Sequence, residues 1–90
     1  ATAVILLSYP LHPPGKPERL RVEHWPDLAV PTLFVNGDRD PFGTPEELDA
    51  HIGTIAGPTR VHWLVGQRHD PKPECDDEII EVVGSFLAGL

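Results

Sequence analysis

Residues 31–43 read PTLFVNGDRDPFG. Leu33, Phe34 and Val35 form a short apolar run that stops at Asn36-Gly37, and two carboxylates, Asp38 and Asp40, follow at once. Pro41 and Gly43 shape the exit from that turn. An apolar run without alternation, closed by turn residues, predicts a strand covered on both faces. Open parallel sheets place ligands and chemistry at the carboxyl ends of their strands, so an acid here is a candidate site residue. A second, mostly apolar run at 61–65 (VHWLV) ends in Gly66-Gln67-Arg68-His69, with a histidine in the equivalent place. An acid after one strand and a histidine after the next are two members of a catalytic triad. The third, a nucleophile on a sharp strand-to-helix turn, is not visible in this sequence.

Upstream, residues 3–8 (AVILLS) predict another covered strand. Tyr9-Pro10 ends it, because a residue before proline is kept out of the helical region and proline has no ladder donor. Residues 11–17 (LHPPGKP) predict a stiff, irregular loop. Residues 18–25 (ERLRVEHW) predict one or two helical turns, with Leu20 and His24 four apart and Val22 and Trp25 three apart. So short a helix depends on tertiary contacts.

Downstream, Thr44, Pro45 and Glu47 spell a capping box with proline at the first helical position. They predict a helix near 45–56, with Leu48, Ile52 and Ile55 on its buried stripe and Gly57-Pro58 as its end. A third strand is expected near 60–65, with Val61, Trp63 and Val65 facing one way and His62 and Leu64 the other. The last helix is expected near 76–88. Asp76, Asp77 and Glu78 crowd its first turn, where the helix dipole favours negative charge. Gly84 costs about 1 kcal/mol against alanine inside a helix, which makes it a candidate for close approach to the sheet. The order predicts an α/β fold in three layers around a mostly parallel sheet, with a right-handed crossover through the first helix.

Ninety residues make one domain at most. A formal charge of −7 without a basic cluster argues against nucleic acid, since Glu18 and Glu23 interleave Lys16, Arg19 and Arg21. A single cysteine, Cys75, excludes an intrachain disulfide and fits a reducing, cytoplasmic setting. No run reaches membrane-spanning length, and the opening ATAVILLSYPL lacks a basic leader. The chain opens on alanine and almost directly on a strand, so the expectation is that it begins inside a longer protein.

A base histidine needs its ring held in one tautomer, which a buried carboxylate does while also stabilising the imidazolium. Asp40 is the preferred acid for His69; Asp38 is expected to bond turn amides, and the alternative is that the whole turn is simply solvated. His51 is expected on a helix surface and His62 on a strand near the edge of packing. His12 and His24 are candidates to rim a site, with Pro13 and Pro14 lining its entrance and Trp25 covering it. His69, Asp70, Cys75 and Asp76 lack metal-ligand spacing, so neither metal nor other cofactor is expected. Cys75 lies near a helix start, which lowers a thiol's pKa, but the following acids oppose that. Ser8 and Ser85 do not sit on a nucleophile elbow.

These residues resemble the C-terminal third of an α/β-hydrolase. Gly37-Asp38-Arg39-Asp40 followed by Pro41-Phe42 is similar to that family's acid turn, G-x-x-D, and Gly66-Gln67-Arg68-His69-Asp70 is similar to its histidine loop. The match is closest to the dienelactone-hydrolase-like subgroup that includes testis-expressed and KAT8-complex-subunit-like hydrolase domains. It rests on YPLHPPGKPE at 9–18, Leu20-Arg21 to His24-Trp25, PTLFVNGDRDPFGTPEEL at 31–48 and VHWL at 61–64, nearly the whole chain. The resemblance implies that residues 1–90 are the C-terminal portion of a hydrolase domain. It further implies catalytic Asp40 and His69, an ester or related acyl substrate, and a serine nucleophile with its oxyanion hole outside these residues. Hydrolysis is then expected with the N-terminal portion present and not from the ninety residues alone. The first strand would be internal in such a fold, so it is expected to pair with the missing portion or to self-associate. The alternative is a non-catalytic interaction module derived from the same fold.

Overall fold

The computed structural model describes residues 3–16 and 18–90; Pro17 of the expected proline-rich loop lies outside the described residues. Three parallel strands, β1 (Val4–Leu7), β2 (Thr32–Gly37) and β3 (Thr59–Leu64), form a sheet in the order β1-β2-β3. Among the described residues, helix α1 (Pro45–Ile52), helix α2 (Asp76–Ala88) and two 3-10 turns, Trp25–Asp27 and Pro73–Cys75, complete the regular structure.

β2 is the centre of the molecule, and all six of its residues are buried. Its side chains alternate between two apolar layers. Phe34 joins Leu11, Trp25, Leu48 and Ile55 on one face, with Leu6, Val61 and Trp63 of the flanking strands packed against them. Leu33 and Val35 join Leu64 and Phe86 on the other, under Ile79, Val82 and Val83 of α2. The register Leu6–Phe34–Val61 carries this alternation across the sheet. The result is a three-layer α/β arrangement, α1 with the irregular upstream segment on one face and α2 on the other.

The capping box forms as spelled. Thr44 accepts from the Glu47 amide at 3.2 Å and Glu47 accepts from the Thr44 amide at 3.0 Å. α1 ends earlier than Gly57-Pro58, at Ile52 with Gly53 as its C-cap. Two further turn bonds, Thr54 to His51 and Ile55 to Ile52, still deliver Ile55 to the core. The expected helical turns at 18–25 are corrected. Only Trp25–Asp27 is helical, and of the 3-10 type, because the Arg21 amide is taken by Leu11 O at 2.8 Å instead of a local carbonyl. The expected strand 3–8 is Val4–Leu7, and Ser8 departs from it with φ 54°. Gly84 is exposed, and a Cβ there would meet nothing within 4 Å, so it marks no close approach to the sheet. Trp25 does not cover a site entrance: it is fully buried, 5.5 Å from Tyr9 and 5.4 Å from Phe34 between ring centroids.

Candidate active site

Because β2 and β3 are adjacent and parallel, the loops after Gly37 and Leu64 leave the same edge of the sheet. Backbone contacts lock them together. Asp38 N–H donates to Leu64 O at 3.2 Å and Arg39 N–H to Gln67 O at 2.9 Å. Asp38 Oδ1 accepts from the Gly66 amide at 2.7 Å, so this acid bonds an amide of the facing loop rather than of its own turn. The approach is close enough to require glycine at 37, where a Cβ would sit 2.3 Å from Gln67 O and 2.5 Å from Arg68 O. Gly66 turns the second loop with φ 75°, a region in which side chains with a Cβ are strained.

This lock brings Asp40 and His69 together. His69 Nδ1 lies 2.8 Å from Asp40 Oδ2. Asp40 is 1% exposed, and its other oxygen accepts from the Phe42 amide at 2.8 Å. An ionised carboxylate only accepts, so Nδ1 carries the proton and Nε2 is the basic nitrogen of the neutral ring. Among the described residues Nε2 has no hydrogen-bond partner, and the His69 side chain is 35% exposed. The ring of Phe42 stacks on the imidazole, with centroids 4.0 Å apart and planes 28° from parallel. Phe42 was legible only as part of the Asp40-Pro41-Phe42 turn; the aromatic residue two places after the acid was the available signal.

The other expected site residues lie elsewhere. His12 does not rim the site, because it is 4% exposed. Its Nδ1 faces Pro13 O at 2.9 Å and its Nε2 faces Glu47 Oε2 at 2.8 Å. The Pro13 carbonyl, followed by Glu47, raises its pKa above 6.5. The bond from His12, followed by the Thr44 amide, holds Glu47 below the usual carboxylate value of 4.5. His62 bonds Glu78 Oε2 at 2.6 Å across the sheet–α2 face. His24 is exposed, and His51 lies on α1. Cys75 is buried at the start of α2, and burial with Glu78, Glu74 and Asp76 pushes its thiol up, away from reactivity. Among the described residues no cluster of three or more His, Cys, Asp or Glu side chains is placed to hold a metal, and no helix is long and apolar enough to cross a membrane.

Residues 1–81 match the family model described as Alpha/beta hydrolase domain. The chain belongs to the alpha/beta-hydrolase family. Its parallel sheet flanked by helices is the family's architecture, and in such a domain the Asp40–His69 pair is consistent with the acid and histidine components of a triad. Of the serines in this hydrolase-family chain, Ser8 ends β1 and Ser85 is exposed on α2. Neither makes a side-chain hydrogen bond to His69 among the described residues.

Proposed function

We propose that this chain is the C-terminal portion of a serine hydrolase domain acting on an ester or related acyl substrate, with Asp40 as the acid and His69 as the base. The observation that carries the reading is the 2.8 Å contact from His69 Nδ1 to a carboxylate with no solvent exposure, combined with an Nε2 that has no partner among the described residues. In this role Nε2 takes the proton of a serine hydroxyl as it attacks the acyl carbon, then returns it to the leaving oxygen. Asp40 keeps the ring in the Nδ1–H tautomer and stabilises the imidazolium between those steps. The serine and the oxyanion donors belong to a segment outside these ninety residues. That segment is the expected partner of β1, whose apolar Val4–Leu7 edge pairs among the described residues only with β2 and whose Leu7 is 56% exposed. The dienelactone-hydrolase-like subgroup and a cytoplasmic setting belong to the same proposal; the proline-rich motif supports the former and the single cysteine the latter.

The same open edge favours a second reading, a non-catalytic module that recruits another chain, or a second copy, along β1. One experiment separates the two. The protein carrying these residues is isolated from its native source, weighed intact under denaturing conditions, and treated with a fluorophosphonate that labels activated serines. A species heavier than 9.9 kDa that takes the label, and loses it by about 10²–10⁴-fold in rate on His69→Ala, is the expected result. A 9.9 kDa chain that is never labelled overturns hydrolysis and leaves the binding module.

A further inference from the structure

Phe42 touches both members of the candidate pair through different parts of itself. Its backbone N–H donates to Asp40 Oδ1 at 2.8 Å, leaving Oδ2 for His69. Its ring lies against the imidazole at 4.0 Å, nearly parallel. Its carbonyl is in turn held by the His12 amide at 2.9 Å. That amide belongs to a residue whose ring is fixed at both nitrogens, by Pro13 and by the Glu47 of the capping box. The proline-rich loop and the acid turn therefore meet at one aromatic residue, and the first turn of α1 holds the ring of the histidine whose amide binds it.

We propose that Phe42 is the positioning residue of this site, setting the acid's oxygen with its amide and the plane of His69 with its ring. A carboxylate bond alone fixes one ring atom and leaves the imidazole free to swing about it. A stacked ring removes that rotation, so that Nε2 keeps one direction. Stacking also lays an aromatic face along the ring that takes up the proton in the proposed chemistry. Misplacement of a reacting group by about 1 Å costs up to about 10²-fold in rate, which is the scale on which such a device matters. The assignment rests on the triad reading, because without it His69 has no direction to keep.

The test reads His69 itself in the protein that carries these residues, by long-range ¹H–¹⁵N spectra of the imidazoles and relaxation of the ring C–H groups. In the unmodified chain the expected signature is an Nδ1–H tautomer with slowly relaxing ring carbons and protons shifted upfield by the stacked ring. Phe42→Leu retains the amide to Asp40 and removes the face. It is expected to leave the Nδ1–H form, which Asp40 holds, in place while mobilising the ring and cancelling the upfield shift, with His12 resonances unchanged as a report on folding. Phe42→Tyr restores both. A Phe42→Leu chain whose His69 ring stays as rigid as in the unmodified chain overturns the proposal, even if hydrolysis by the parent protein is established. If Phe42→Leu does not fold, the unmodified chain still decides, since a His69 without upfield shift or ordered ring overturns it. A stacked, ordered His69 in a protein that no fluorophosphonate labels leaves the positioning intact and removes the catalytic reading.

Discussion

His69 and His12 each meet a carboxylate at 2.8 Å, and the two pairs differ in what the other ring nitrogen faces. At His12 both nitrogens face acceptors, Pro13 O and Glu47 Oε2. Only the doubly protonated ring satisfies both, so the site selects the imidazolium and holds it. At His69 one nitrogen is committed to a fully buried Asp40 and the other has no partner among the described residues. That ring is free to gain and lose a proton at Nε2 without breaking the bond that orients it. The first arrangement is a clasp between the proline-rich loop and α1. The second leaves one nitrogen open, as the proposed base requires. Distance alone does not separate them; the fate of the second nitrogen does.

The largest effect expected from breaking this contrast is at Asp40. Asp40→Asn leaves a group of similar shape, but an amide nitrogen facing Nδ1 selects the wrong tautomer. Fluorophosphonate labelling of the parent protein should fall by about 10⁴-fold, while folding, followed by thermal melting, drops by only about 1–3 kcal/mol. A variant that labels at the original rate removes Asp40 from the mechanism.

His12→Ala tests the other side and should do the reverse, costing stability with far less loss of labelling. His12 is buried and bonded to a charged partner, so removing it is expected to cost about 2 kcal/mol. The pH dependence carries a sign. His12 has its pKa raised above 6.5, so its contribution is whole below 6.5 and lost as pH rises through the raised value. Glu47 is lowered below 4.5, so its contribution is whole above 4.5 and lost as pH falls through the lowered value. The clasp is therefore strongest between those ordinary values. Melting temperature should decline from about pH 6 toward about pH 9 in the unmodified chain, with that part of the decline missing in His12→Ala. Parallel pH curves for the two would show that His12 is not the group responsible.

The contrast also explains what could be read from residues alone. Asp40 and His69 are 29 positions apart, yet their meeting follows from one topological rule: parallel neighbouring strands deliver their loops to one edge. β2 was legible from its own apolar run, and the start of α1 from a capping box confined to four residues. The His12–Glu47 clasp spans 35 positions and obeys no such rule. It depends on how an irregular proline-rich loop folds back over the acid turn, which no local pattern encodes. Residues 18–25 depart from their helical spacing for the same reason. Their spacing is helical, but the Arg21 amide finds the Leu11 carbonyl, and a two-turn helix has little propensity to set against a tertiary bond. The end of α1 shows the milder case. Gly53 ends the helix one turn before the Gly57-Pro58 that the sequence advertises, and loop turns carry Ile55 to the place where the stripe would have put it.

The smallest effect is expected at the third pair, and it sharpens the comparison most cheaply. His62 Nε2 and Glu78 Oε2 are 2.6 Å apart, closer than either of the other pairs, but their side chains are 34% and 48% exposed. Water solvates both groups whether or not they meet, and holding two mobile side chains together costs entropy. His62→Ala should therefore change stability by no more than about 0.2–1 kcal/mol, with labelling of the parent protein unchanged. Added salt should erase most of that difference, since an exposed pair is screened where a buried one is not. If His62→Ala instead cost as much as His12→Ala, exposure would be a poor guide to these pairs. The distinction drawn from the second nitrogen would then have to be made between two clasps and one base.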